Sequence, residues 1–235
     1  MLALWEDALG QRGGARDAAL LRASAPPEPG RLPTLGARNA RLLQLHAAWF
    51  GRQLDLLSHC PACDAVAQFG GDCEAFAAQM QPRLSQGAPF QLEAQAFMVR
   101  FRLPDNADID ATADLGTGDA FANALLERCV LDCTRSGQPC PVSALTPAVR
   151  DAVSQRMAEL DPGASLAFSL ACPDCATGWQ ARLDVGDLVW RKVRASAERL
   201  LLDVDALARA YGWTEVEVLG LSPTRRAAYL QMVST

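Results

Sequence analysis

Four of the eight cysteines in this 235-residue chain form two copies of one motif, Cys60-Pro61-Ala62-Cys63 and Cys172-Pro173-Asp174-Cys175. Two thiolates set two residues apart on a tight turn grip a metal ion from one side, and two such turns complete a tetrahedral four-thiolate shell with no open coordination position. The spacing predicts one structural Zn2+ held by Cys60, Cys63, Cys172 and Cys175, a site that holds a fold and performs no reaction. The usual ribbon has roughly 15–20 residues between its pairs. Here residues 64 to 171 intervene, so the tertiary fold must bring the two knuckles together. Metal binding then becomes part of folding, with on the order of 10 kcal/mol of apparent binding free energy available.

Cys73, Cys129, Cys133 and Cys140 lie outside these motifs. In a reducing compartment they read as buried thiols, because free cysteine packs as a small hydrophobe. A second metal site from Cys129, Cys133 and Cys140 lacks an obvious fourth ligand, and a Cys133 to Cys140 disulfide is the alternative in an oxidising setting. His46 falls in an apolar helical stretch and reads as structural, whereas His59, beside Cys60, is a candidate substitute ligand. Neither histidine belongs to a nucleophile constellation, and no phosphate-loop, dinucleotide or Gly-x-Ser-x-Gly motif occurs. The chain is therefore expected to be no enzyme, with no catalytic residue and no small-molecule substrate. Strand patterns flank Cys172–Cys175 on both sides, unlike a thioredoxin-type motif, which follows a strand and opens a helix.

Those strands are what must position the second knuckle. Leu166, Phe168 and Leu170 alternate before it, and Trp179, Ala181, Leu183 and Val185 after it, which predicts a β-hairpin with the knuckle at its tip. Leu54, Leu56 and Leu57 lead into the first knuckle, and the stretch from Val66 suits a strand leaving it. Between the knuckles, Phe97, Val99, Phe101 and Leu103 predict one strand over Gln91–Leu103, ended by Pro104. Asp105 to Asp110 lacks the central glycine and terminal glutamate of a calcium loop and reads as a solvated loop or helix start. A helix is expected over Gly118–Cys133, and another from Thr146-Pro147, with threonine as N-cap and proline at the first position.

The ends of the chain read as helical. Leu2, Trp5 and Leu9 predict an amphipathic helix running to about Arg22, and the proline-rich stretch at 25–30 is a linker. A second helix is expected over Gly36–Phe50, stopped by Gly51. After Gly186 the longest one spans Asp187–Tyr211, Thr214 and Glu217 have capping-box spacing, and Ser222-Pro223 opens the last. The resulting expectation is an α+β fold: a split zinc ribbon with its CPxC knuckles on β-hairpins, a helical insertion, and a C-terminal helical hairpin or small bundle. Its parts are an N-terminal helical region (1–58), the split ribbon with its insertion (59–186) and a C-terminal helical region (187–235).

A net charge of -5, with basic residues scattered, leaves no cationic stripe for a phosphate backbone, so nucleic acid is not an expected partner. No apolar run approaches the ~18 residues of a membrane span, and the N-terminus lacks a basic leader, so a cytoplasmic protein is expected. Trp190, Arg191, Arg194, Trp213, Arg225, Arg226 and Tyr229 are candidate anchors for a protein partner, since aromatic residues and arginine dominate such interfaces.

Particular segments carry a resemblance. These are Leu4-Trp5-Glu6, Phe101-Arg102-Leu103-Pro104, Leu125-Leu126-Glu127-Arg128-Cys129-Val130, both cysteine pairs, and a tail including Leu207-Ala208-Arg209-Ala210-Tyr211-Gly212-Trp213 and Leu221-Ser222-Pro223-Thr224-Arg225-Arg226. Together they resemble the baseplate-associated proteins of contractile phage tails, often labelled hub-assembly chaperones, with relatives in bacterial contractile injection systems. The resemblance implies a non-enzymatic structural or assembly protein that binds other baseplate, hub or tail proteins, in the cytoplasm during assembly and then either retained in the particle or released. Ala176-Thr177-Gly178 departs from that family, in which glycine follows the second cysteine pair directly. The alternative is a zinc-ribbon module for nucleic-acid binding or regulation, which the four-cysteine site favours and the acidic balance opposes.

Overall fold

The computed structural model describes residues 1–22, 34–80, 89–116 and 118–233, and the expected linker at 25–30 lies outside them. In chain order come α1 (Leu2–Leu9), α2 (Gly13–Arg22), α3 (Leu35–Phe50), β1 (Gln53–His59), β2 (Val66–Asp72), α4 (Cys73–Gln79), β3 (Phe90–Ala94) and β4 (Phe97–Phe101). They are followed by α5 (Asn106–Thr112), α6 (Asp119–Cys129), β5 (Val130–Arg135), β6 (Gln138–Pro139), α7 (Pro147–Leu160), β7 (Leu166–Ala171) and β8 (Gly178–Leu183). Last come α8 (Val185–Tyr211), α9 (Glu215–Leu219) and α10 (Pro223–Val233). The fold is mixed helix and antiparallel sheet, divided into two compact units: Gln11–Val189, and Met1–Gly10 together with the chain from Trp190 onward.

In the larger unit β1 pairs with β2 from Gln53↔Asp72 to His59↔Val66, and β7 with β8 from Leu166↔Leu183 to Ala171↔Gly178. Each cysteine motif is thus the tip of a hairpin. The two hairpins meet through the ring of Phe168, 5.1 Å from that of Phe69 and 5.4 Å from that of Phe76. Trp179 Nε1 also donates to Ser58 Oγ at 3.1 Å, tying β8 to β1.

A separate four-stranded sheet, ordered β3-β4-β5-β6, carries the insertion. The alternation of Phe97, Val99 and Phe101 holds: all three are buried, against Leu126 of α6 and Val149 and Val153 of α7. Burying each such side chain contributes on the order of 1.5–3 kcal/mol. The single strand expected over Gln91–Leu103 is instead a hairpin, with Ala94 opposite Phe97 and a two-residue turn whose Gln95 takes φ 56°. The helix expected over Gly118–Cys133 ends at Cys129, because Val130 to Thr134, with β-branched residues at both ends, pairs with β4. The single N-terminal helix is also two helices, interrupted around Gly10, with Gly13 at φ 52°.

Carboxylates distant in sequence sit at three helix starts of this unit. Asp110 accepts from Gly14 N at 2.7 Å, and Asp161 from Gly36 N at 2.9 Å. Asp17 lies so close to Gly186 that a β-carbon there would fall 2.2 Å from its Oδ1. Glycine permits this approach.

In the smaller unit Gly212, at φ 71°, ends α8, and Thr214 and Glu217 form the expected capping box. Tyr211, Trp213 and Tyr229 pack together with ring centroids 4.7–5.7 Å apart, and Arg226 Nε reaches Asp203 Oδ2 at 3.2 Å. These contacts fold α10 back onto α8.

Candidate metal centre

The two knuckles have the same backbone. In the first, Cys60 N donates to Ala65 O and Asp64 N to Cys60 O, both at 2.9 Å; in the second, Cys172 N donates to Thr177 O at 2.9 Å and Ala176 N to Cys172 O at 3.0 Å. Asp64 and Ala176 each take a positive φ, 62° and 58°. Such a turn aims both thiols of its motif to one side.

The four sulfurs meet. Cys60 Sγ is 3.6 Å from Cys175 Sγ, Cys63 Sγ is 3.5 Å from Cys172 Sγ, and all four lie within 4.8 Å of one another. Ligands about 2.3 Å from a tetrahedral zinc sit roughly 3.8 Å apart, so the donor set fits a single ion in both number and spacing. Cys60 and Cys172 are buried while Cys63 and Cys175 are exposed, each motif giving one of each.

The clustered thiols are shifted in opposite directions. Cys175 is drawn down to about 6 by the Thr177 hydroxyl, 3.3 Å away, and by the Thr177 backbone. Cys63 has an N–H from Ala65 favouring its thiolate, yet the neighbouring sulfurs push it up to about 12. A dication held there would favour the thiolate form of all four, because each would then face positive charge.

His59 is not part of this cluster: it is exposed, with Nδ1 3.1 Å from Asp64 Oδ1. His46 is buried, its Nδ1 3.2 Å from Gly51 O and 3.4 Å from Cys73 Sγ, as a structural histidine should be. Burial pushes the Cys73 thiol up to about 11 and that of Cys129 to about 12, so neither is poised as a nucleophile. Cys129 sits near Asp108 and not beside Cys133 and Cys140, so the three do not form a second metal site.

Of the candidate partner residues, Trp190 is buried, Trp213 and Tyr229 belong to the aromatic cluster, Arg226 pairs with Asp203 and Arg194 with Glu198. Arg191 and Arg225 are exposed. Leu202, Val216 and Met232, not singled out by the sequence, are the more exposed apolar side chains of this unit, at 69%, 80% and 65%.

Sequence reasoning also missed a buried carboxylate. Asp108 is fully buried, with Arg102 Nη2 at 2.8 Å and Arg128 Nε at 3.0 Å from Oδ1 and Asp105 N at 3.1 Å from Oδ2. Burial alone would raise its pKa; the Arg102 hydrogen bonds outweigh that and hold it below the usual carboxylate range. Arg102 also anchors backbone, its N donating to Cys129 O at 2.9 Å. Asp108 thereby joins the segments around Phe101–Pro104 and Leu125–Val130.

No family model, curated protein or solved structure matches this chain. No helix among the described residues is long and apolar enough to cross a membrane.

Proposed function

We propose that the protein is a non-enzymatic structural or assembly component of a contractile-tail baseplate, phage or injection system, built on a zinc ribbon split between two hairpins. The observation that carries the metal reading is the meeting of four sulfurs from two identically folded knuckles. When bound, zinc would supply a closed four-thiolate shell that cross-links the hairpins and leaves no position for a substrate. Phe168 against Phe69 and the Trp179 to Ser58 hydrogen bond link the two hairpins, and the four sulfurs lie within 4.8 Å of one another.

The baseplate context rests on the resembling segments. The tail segments belong to the smaller unit, where exposed Leu202, Val216 and Met232, with Arg191 and Arg225, offer contacts to other baseplate or hub proteins. Elemental analysis of protein purified without chelator should find one zinc per chain, and its absence would remove the ribbon. Deleting the gene should abolish assembled sheath-and-tube particles, and normal particles that still fire would refute the assembly role. Mass spectrometry of purified particles separates a retained component from a released chaperone. Salt-sensitive binding to DNA or RNA would favour the regulatory alternative.

A further inference from the structure

Four cysteines are committed to the cluster, Cys73 lies against His46, and Cys129 lies near Asp108. The remaining two face each other. Cys133 Sγ and Cys140 Sγ are 3.5 Å apart, and the Cys133 thiol donates to Cys140 O at 2.9 Å. Both cysteines are free. We propose that Cys133 and Cys140 form a dithiol site that a hydroperoxide oxidises reversibly to an intramolecular disulfide.

The strand register sets the two side chains opposite each other. Thr134 pairs with Pro139 and Arg135 with Gln138, which puts Cys133 directly opposite Cys140, and Cys140 N donates to Cys133 O at 3.0 Å. Hydrogen-bonded antiparallel pairs have α-carbons about 5.5 Å apart, within the roughly 4.4–6.8 Å range of disulfides. The register is fixed at the turn, where Ser136 and Gly137 both take positive φ, 50° and 80°, as a two-residue hairpin requires. Pro139 and Pro141 flank Cys140 and restrict its backbone further.

The two sulfurs differ in access. Cys133 is buried in the insertion core, whereas Cys140 is partly exposed. Burial, reinforced by Cys140, pushes the Cys133 thiol up to about 11, so it carries its proton into the second step. Cys140, as thiolate, attacks one oxygen of the hydroperoxide: an S–O bond forms, the O–O bond breaks, and the alcohol, or water when the oxidant is hydrogen peroxide, leaves with a proton. Cys133 Sγ then attacks Cys140 Sγ. The S–S bond forms as the S–O bond breaks, and the Cys133 proton leaves with hydroxide as water. In sum, two thiols and one hydroperoxide give one disulfide, one alcohol and one water. A dithiol reductant reverses the change.

The test treats the full-length purified protein with hydrogen peroxide, alkylates the remaining thiols after denaturation, and digests with trypsin. Cleavage after Arg128, Arg135 and Arg150 puts Cys133 and Cys140 on separate peptides. The expected result is a disulfide-linked pair of peptides 129–135 and 136–150, two hydrogens lighter than the separate thiols, lost after dithiothreitol and absent from Cys140→Ser. It should persist in Cys129→Ala, which removes the other cysteine of the first peptide. Alkylation of both Cys133 and Cys140 after peroxide would overturn the proposal. So would a link through Cys129, or a sulfinic acid on Cys140 with no link. The linked peptide is read whether or not the Cys60 cluster carries metal, so this result and the zinc result are independent.

Discussion

Asp64 and Ala176 occupy equivalent places, each four residues after the first cysteine of its knuckle, and share a left-handed backbone with φ 62° and 58°. An L-residue there costs about 1–2 kcal/mol relative to right-handed backbone, partly offset because glycine adds freedom to the unfolded chain.

Ala176→Gly should therefore stabilise the protein by about 0.5–1 kcal/mol, read as a rise in the midpoint of denaturant unfolding of the metal-loaded protein. A fall in the midpoint would mean that the Ala176 methyl packs usefully.

Cys60→Ser and Cys172→Ser should behave alike despite their separation. Each should lose stoichiometric zinc and destabilise the protein by about 3 kcal/mol or more, with a change in the emission of Trp179, which bridges the hairpins. The double variant should cost little more than either single one, because the first substitution already empties the site. Zinc retained by Cys60→Ser but not by Cys172→Ser would show that the second knuckle draws ligands from elsewhere.

Asp108→Asn leaves Arg102 and Arg128 facing a neutral amide and should cost about 3 kcal/mol, measured by urea unfolding at pH 7. Because the folded carboxyl is held below its ordinary value, its stabilisation is complete above about pH 4 and is lost as pH falls through the lowered value. The cost of the substitution should shrink in acid. An unchanged cost at pH 3 would contradict the charge argument.

Asp17 has the opposite sign. Burial, with Asp184 and Asp110 adding to it, pushes its carboxyl up to about 6 against the pull of Arg38 and Arg16. The proton-bound form then favours folding: its contribution is whole below about pH 4 and fades as pH rises to about 6, about 2–3 kcal/mol in all. Stability of Asp17→Asn relative to the parent should rise across that window, and parallel pH profiles would refute the assignment. Comparing the two at each pH cancels any loss of zinc.

How much of this was legible depends on whether a signal is local. Thr146-Pro147, Thr214 with Glu217, and the alternation on both sides of Cys172 are read within a few residues, and the structure has α7, α9 and the β7–β8 hairpin there. The turn at Gln95-Ala96 carries neither glycine, proline nor asparagine, so two strands read as one. Val130 to Cys133 continues the apolar helical pattern of α6, and becomes a strand only because β4 lies alongside to pair with it. In the sequence Asp108 reads as one carboxylate of a solvated run. Its partners, Arg102 and Arg128, lie six and twenty residues away on different elements, a relation that no periodicity reveals.

The long separation of the two knuckles also sets a schedule for biosynthesis. Cys63 and Cys172 are 109 residues apart, so at about 5–20 residues per second the ribosome delivers the second knuckle roughly 5–20 s after the first. During that interval the nascent chain offers a half-site of two thiols, while the four-stranded sheet and its own core emerge in between. A shared ion could close its shell only once the insertion has been made. Capture of an ion by all four thiols would then report that everything from Cys60 to Cys175 has been translated, and a chain truncated before Cys172 could not be locked in that way.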